Sequence, residues 1–233
     1  MPRAAPIRKS QALPAKPSAP RRTLRAAVAA APVRRRTQAE RREEAEQRIL
    51  EAALEIVARR GSVRMTLAEV GEAAGYSRGL PAQRFGNKAG LLRALAASIG
   101  TRFATQIRAA PQREPGLDAI RGNITVYFNR KDSGWTTTRA LLVMFTEGFM
   151  EGSELREPVA AYNRGALSFF VEQIRHGIEK GEIPADIDPF STSVLLLGAL
   201  RGVMMQWLVD PEIDLSKVCD RMLAVVDAVL AKH

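Results

Sequence analysis

The side chains best able to do chemistry in this sequence are arginines, and they are unevenly placed. Residues 1 to 42 hold twelve Lys or Arg against one acid, Glu40. The formal net charge of the whole chain is +10, so this stretch, at twelve minus one, carries +11 and the remainder −1. A concentrated positive charge attracts a polyanion such as DNA. Other chemistries have little to work with. The one cysteine, Cys219, falls at a spacing expected on the buried side of a helix. It has no second thiol to bridge, which fits a reducing compartment. The two histidines, His176 and His233, read as exposed or terminal, so neither a Cys/His nucleophile nor a zinc set is expected. With no paired carboxylates and no Ser/His/Asp set, the expectation is a chain without catalytic residues, metal or cofactor.

The elements that would present those arginines follow from pattern. Residues 1–36 are rich in Pro and Ala, almost free of acids and without aromatics, a composition that predicts disorder. A mitochondrial transit peptide shares that composition. The run from Leu24 to Ala31 is too short and interrupted for a secretory core or a membrane span, and no stretch reaches ~18 uninterrupted apolar residues, so no membrane partner is expected. The chain has 233 residues, 46% hydrophobic and 26% charged, enough for one or two domains with a sizeable core.

Order is expected to begin at Thr37, which with Glu40 forms a capping box. Ile49, Ala52, Ala53, Ile56 and Val57 give the first helix an apolar face, and Gly61 ends it. A second box, Thr66 with Glu69, opens a short helix with Leu67, Val70 and Ala74 inward. Gly75 permits a turn, and Ser77 is the expected cap of a third short helix that Phe85 anchors. Two brief helices joined by a glycine-containing turn make a helix-turn-helix. Asn87 caps the fourth helix, with Leu91, Leu92, Leu95, Ile99 and Phe103 in a stripe. Helices are expected at about 116–131, 135–150, 157–180, 189–209 and 215–231, the fourth of these opened by Asp188 and Pro189 and the fifth by Asp214. The fold class is therefore all-α: a basic tail over residues 1–36, a three-helix head over 37–86, and a helical bundle domain over 87–233.

In that second domain Trp135, Thr138, Arg139, Phe145, Phe149, Tyr162, Phe169 and Gln206 are candidates for an apolar pocket with a few orienting polar groups. The last two helices carry more apolar surface than one thin domain needs. Leu195, Gly198, Ala199, Gly202 and Val203 on one, and Met222, Val225, Val226 and Val229 on the other, predict a four-helix bundle between two copies of the chain.

The stretch from Ile49 to Leu92 resembles the DNA-binding head of the TetR family. The match lies in Ile49 to Ala53, Gly61, Thr66, Ala74 with Gly75, Ser77 to Gly79, Phe85 to Lys88, and Leu91 with Leu92. Gly177, Gly181 to Ile183, Asp188 with Pro189, and Gly198 to Trp207 resemble the last three helices of such regulators. The resemblance implies a cytoplasmic homodimer on a palindromic double-stranded operator, released when a small, largely apolar effector binds the second domain. It places Ser77, Arg78, Gly79, Leu80, Gln83 and Arg84 at the major groove, where Arg pairs with guanine and Gln with adenine. Thr66 and Lys88 are implied to hold phosphates.

One departure from the family stands in the third helix, where Pro81 and Ala82 replace the usual Leu-Tyr pair. Proline fits only a first helical turn, so this helix is expected to start late or to distort. Arg34, Arg35 and Arg36 are candidates for a minor-groove arm that restores lost backbone contact. Two rival readings are a DNA-binding dimer with no effector, and a helical enzyme with a basic head, for which the sequence offers no catalytic set.

Overall fold

The computed structural model describes residues 37–129 and 135–232. The proposed arm, Arg34 to Arg36, and the terminal His233 lie outside the described residues. What is described is all α-helix with connecting turns, and residues 37–233 form one compact unit.

The first four helices begin and end largely where short-range chemistry dictates. Helix α1 (Gln38–Arg60) opens on a complete capping box: the Thr37 hydroxyl accepts from the Glu40 amide at 3.1 Å, and the Glu40 carboxylate accepts from the Thr37 amide at 2.7 Å. It closes on Gly61 at φ +82. Helix α2 (Leu67–Ala73) is capped by Thr66, but its expected box is half made. The Glu69 carboxylate turns instead to the guanidinium of Arg60, because an ion pair with the end of α1 outcompetes a single backbone amide. Helix α3 (Leu80–Phe85) starts late, with Pro81 in its first turn and Gly79 before it. Ser77 does not cap it. Its carbonyl accepts from the Leu80 amide at 3.1 Å, so Ser77 to Leu80 is a turn of its own ahead of the helix. Helix α4 (Lys88–Ala109) is capped by Asn87, whose side chain accepts from the Gly90 amide at 2.8 Å.

Five helices follow: α5 (Leu117–Phe128), α6 (Thr136–Gly148), α7 (Arg156–Glu179), α8 (Pro189–Val209) and α9 (Leu215–Leu230). Asp188 and Asp214 cap the last two as expected. Helix α5 has no local cap, since Gly116 offers no side chain. Glu182 serves instead, its carboxylate accepting from the Leu117 amide at 3.1 Å across 65 residues of sequence. That bond and the Lys180 ammonium hold the Glu182 carboxyl below its ordinary pKa.

Two apolar cores result. The first joins Ile49, Val57, Met65 and Val70 to the α4 stripe from Leu91 to Phe103, and to Leu141 and Met144 of α6, so it runs without a break past residue 86. The second joins Ile120 and Ile124 to Phe170, Ile174, Leu200 and Met204, with Cys219 and Val226 on α9. Cys219 is buried, and burial pushes its thiol pKa up.

Among the described residues, α8 alone is long and apolar enough to cross a membrane by length and composition. Its inner side, Ser193, Leu197, Leu200 and Met204, packs into the second core, while Leu195, Gly198 and Ala199 stand exposed.

Candidate nucleic-acid interface and ligand cleft

The α2–α3 pair is built on Gly71. A Cβ at that position would lie 2.6 Å from the Ser77 carbonyl oxygen and 3.1 Å from Pro81 Cδ, so only glycine lets the turn close onto α2. Pro81 is buried against this spot, and Leu80 and Phe85 pack on the first core. Rooting on that side turns Arg78, Gly79 and Gln83 outward, and all three are exposed, as are Thr66 and Ser77. Arg84 is half-buried, and its Nε has no hydrogen-bond partner among the described residues. Arg78 is not idle, since its Nε donates to Glu72 on α2. Lys88 reaches back across the head and donates to the Val63 carbonyl at 2.8 Å, bracing the α1–α2 loop. Gly71 and the Lys88 brace escape a reading by sequence, because both are contacts between segments.

The same loop is tied from the other side. The Ser62 amide donates to both oxygens of Glu147 at 2.9 and 3.1 Å, and the Ser62 hydroxyl donates to Glu147 Oε2 at 2.5 Å. Glu147 stands in the last turn of α6, so one carboxylate joins α6 to the loop that leads into the helix-turn-helix.

A cleft of about 500 Å³ opens between α4, α5, α7 and α8. Its walls are Ala96, Ala97, Gly100, Phe103, Ala104 and Ile107 of α4, Tyr162, Gly165 and Phe169 of α7, and Leu197 and Leu200 of α8, with Asn123 and Tyr127 from α5. Of the side chains expected to line a pocket, Tyr162 and Phe169 do. Phe145 lies one layer back, its ring edge-on to Tyr162 at 6.2 Å and stacked under the Arg201 guanidinium at 4.3 Å. The others face elsewhere. Trp135 packs on Trp207 at 5.2 Å, beyond the cleft, and Thr138 is buried on the inner side of α6 while Arg139 points outward. Phe149, just past the end of α6, is 71% exposed, and Gln206 is exposed on α8. The aromatic cluster therefore splits among core, surface and cleft. Arg201 donates to Asn163 Oδ1 at 2.5 Å, and burial pulls its pKa down against the opposing influence of Tyr162 and Tyr127.

The face expected to pair with a second copy is mostly outward. Leu195 is 73% exposed, and Gly198, Ala199, Val225 and Val229 are exposed beside it. A side chain added at Gly198 or Gly202 would meet nothing within 4 Å, which leaves room for another helix. Val226 is the correction: at 2% exposure it faces the second core, one residue on from Val225 and three before Val229. Val203 and Met222 are half-buried against the same core. Among the described residues there is no cluster of three or more His, Cys, Asp or Glu side chains able to hold a metal.

Residues 49–95 match the family model for bacterial regulatory proteins of the tetR family. The chain is 27% identical over 185 residues to the HTH-type transcriptional regulator TtgR of Pseudomonas putida, a match that covers 76% of this chain and 86% of TtgR. In fold it is similar to SmeT, the repressor of the Stenotrophomonas maltophilia multidrug efflux pump SmeDEF, with a TM-score of 0.64, 23% identity, and coverage of 80% of this chain and 90% of SmeT. SmeT has also been solved as a triclosan complex. The regulator FadR of Bacillus subtilis, solved with stearoyl-CoA, aligns with a TM-score of 0.65 at 19% identity, covering 77% of this chain and 96% of FadR.

Proposed function

We propose, on the premise that this chain belongs to the TetR family of bacterial regulatory proteins, that it is a homodimeric repressor which leaves a palindromic operator when a small, largely apolar molecule enters its cleft. The observation that carries the reading is the set of the α2–α3 pair: Leu80 and Phe85 root it in the core while Arg78, Gly79 and Gln83 face solvent. In a major groove Arg78 and Gln83 read base edges, Ser77, Gly79, Leu80 and Arg84 lie against the edges or flanking phosphates, and Thr66 and Lys88 hold backbone. Arg34 to Arg36 extend the contact into the minor groove.

The division of labour puts DNA on residues 37–86 and the effector and the second copy on residues 87–233. The exposed apolar strip of α8 and α9 is the two-fold contact, which sets half-sites about one helical turn (~34–36 Å) apart. Occupation of the cleft moves α4, whose far end begins at the head, and shifts the population away from the spacing that fits DNA. That two relatives in fold were solved with triclosan and with stearoyl-CoA supports an effector of this character.

The test is selection of duplexes from a random pool by the purified chain, together with its mass in solution. Enrichment of a palindrome by a dimer is the expected result. A monomer, or no enrichment over random competitor, overturns the reading.

A further inference from the structure

The cleft has a shape and a charge that narrow what it takes. Its α4 wall runs from Arg93 to Ile107, fourteen helical steps or ~21 Å at the α-helical rise. A second cleft of about 510 Å³ continues from it, and Ile107, Asn123 and Phe169 are walls of both. The first is bounded along its length by small residues, Ala96, Ala97, Gly100 and Ala104 facing Ala161 and Gly165. Gly165 stands in the interior of α7 where a Cβ would meet nothing within 4 Å, so no neighbour demands glycine there. Glycine weakens a helix interior, and what it preserves here is empty width. The result is a long trough with mostly apolar walls that leads into a more polar chamber with Arg108, Gln112, Arg113 and Gln173 on its walls. Among the described residues, the charged side chains that line either cleft are arginines, Arg93 at one end and Arg108 and Arg113 at the other. Arg113 pairs with Asp118, and Arg108 donates only to the Thr105 hydroxyl.

We infer that the effector is a free, single-chain amphiphile with an anionic head, its hydrocarbon chain along α4 and its head among Arg108, Arg113 and Asn123. The inference rests on the effector reading above and adds the ligand's shape and sign. A cationic head of the same length would face the guanidinium groups of Arg108 and Arg113, of which only Arg113 is paired with a carboxylate, that of Asp118. A compact, multi-ring compound would leave the length of the trough unfilled.

The experiment is the helix melting temperature of the full chain by circular dichroism, at equal sub-micellar concentrations of dodecanoate, dodecanol and dodecyltrimethylammonium, since a ligand of the native form raises it. Dodecanoate is expected to give the largest rise and the trimethylammonium compound none. In a chain carrying both Arg108→Ala and Arg113→Ala, the dodecanoate affinity is expected to fall at least tenfold and that of dodecanol to stay unchanged. Gly165→Leu, or Ala161→Leu if the first does not fold, is expected to abolish binding of both. Equal rises for the cation and the carboxylate, or an unchanged dodecanoate affinity in the double variant, overturn the inference. Should no twelve-carbon compound bind while triclosan does and Gly165→Leu blocks it, the effector cleft stands and the amphiphile falls. If neither kind of compound shifts the melting temperature, both readings fall together.

Discussion

Glu147 holds Ser62 by three hydrogen bonds, two to its amide and one to its hydroxyl, and so fastens the end of α6 to the loop between α1 and α2. Lys88 grips the next residue, Val63, from α4. The loop that precedes Thr66 is thereby held from both α4 and α6. Replacing Glu147 by Ala leaves the Ser62 amide without its acceptor and is expected to cost about 1–3 kcal/mol of stability. Urea denaturation measures the loss, and duplex binding of Glu147→Ala is expected to weaken more than that of Glu147→Gln, which keeps an acceptor for the amide.

Gly71→Ala is expected to be disproportionately harmful. Its Cβ would meet the Ser77 carbonyl at 2.6 Å, and that oxygen belongs to backbone that also sets Arg78 and Gly79. Overpacking of this kind costs about 1–3 kcal/mol. Melting temperature and gel-shift affinity should both drop, whereas Gly75→Asn, at φ +78 with open space, should leave affinity nearly intact.

Arg78→Ala and Gln83→Ala should each relax preference at one operator position, by about 1–3 kcal/mol against the next-best base. Lys88→Ala should instead weaken all duplexes alike and lower the salt slope by about one. Competition titrations over a matrix of single-base operator variants separate the two patterns. A uniform loss for Gln83→Ala would take it off the base edges.

Glu182 gives a pH signature. Its carboxyl is held below the ordinary value first by the Leu117 amide and then by Lys180, so the folded form prefers it ionised. A depressed folded pKa contributes stability above the unfolded value, about 4.3, and that contribution is lost as pH falls through the folded one. Glu182→Gln should therefore be less stable than the parent chain at neutral pH, with the gap closing as pH drops below about 4. Denaturant midpoints at the two pH values give the comparison, and a gap independent of pH would assign the loss to packing.

Leu195→Glu is expected to leave helicity unchanged, since this side chain is exposed within one chain, and to convert the proposed dimer to monomer by forcing a carboxylate into its apolar contact. Val226→Glu should unfold the second core instead, since that residue faces inward. Sedimentation velocity beside circular dichroism distinguishes a split dimer from an unfolded chain.

Much of this was legible because it is local. Thr37, Asn87, Asp188 and Asp214 declare helix starts within three residues of themselves, and the α4 stripe declares its own inward side. Ser77 looked like a cap by the same logic, but Pro81 moved the start of α3 to Leu80, and the turn used the Ser77 carbonyl instead. The cleft was misread for a deeper reason. A search for large aromatic side chains finds what fills space, whereas the trough exists where Ala97, Gly100, Ala161 and Gly165 leave it empty. Val226 was misplaced because neighbours on a helix lie 100° apart, and only packing against α5 tells which of Val225, Val226 and Val229 turns inward.

Arg201 sits two residues past the midpoint of α8, the helix otherwise apolar enough to enter a bilayer. A guanidinium near the centre of such a segment adds about 2.5–3.5 kcal/mol to the cost of insertion. Before α7 packs over that helix, this one charge raises the cost of moving it from water into a bilayer. Arg201→Leu is expected to remove that cost while leaving Asn163 without its donor and the Phe145 ring without its cation.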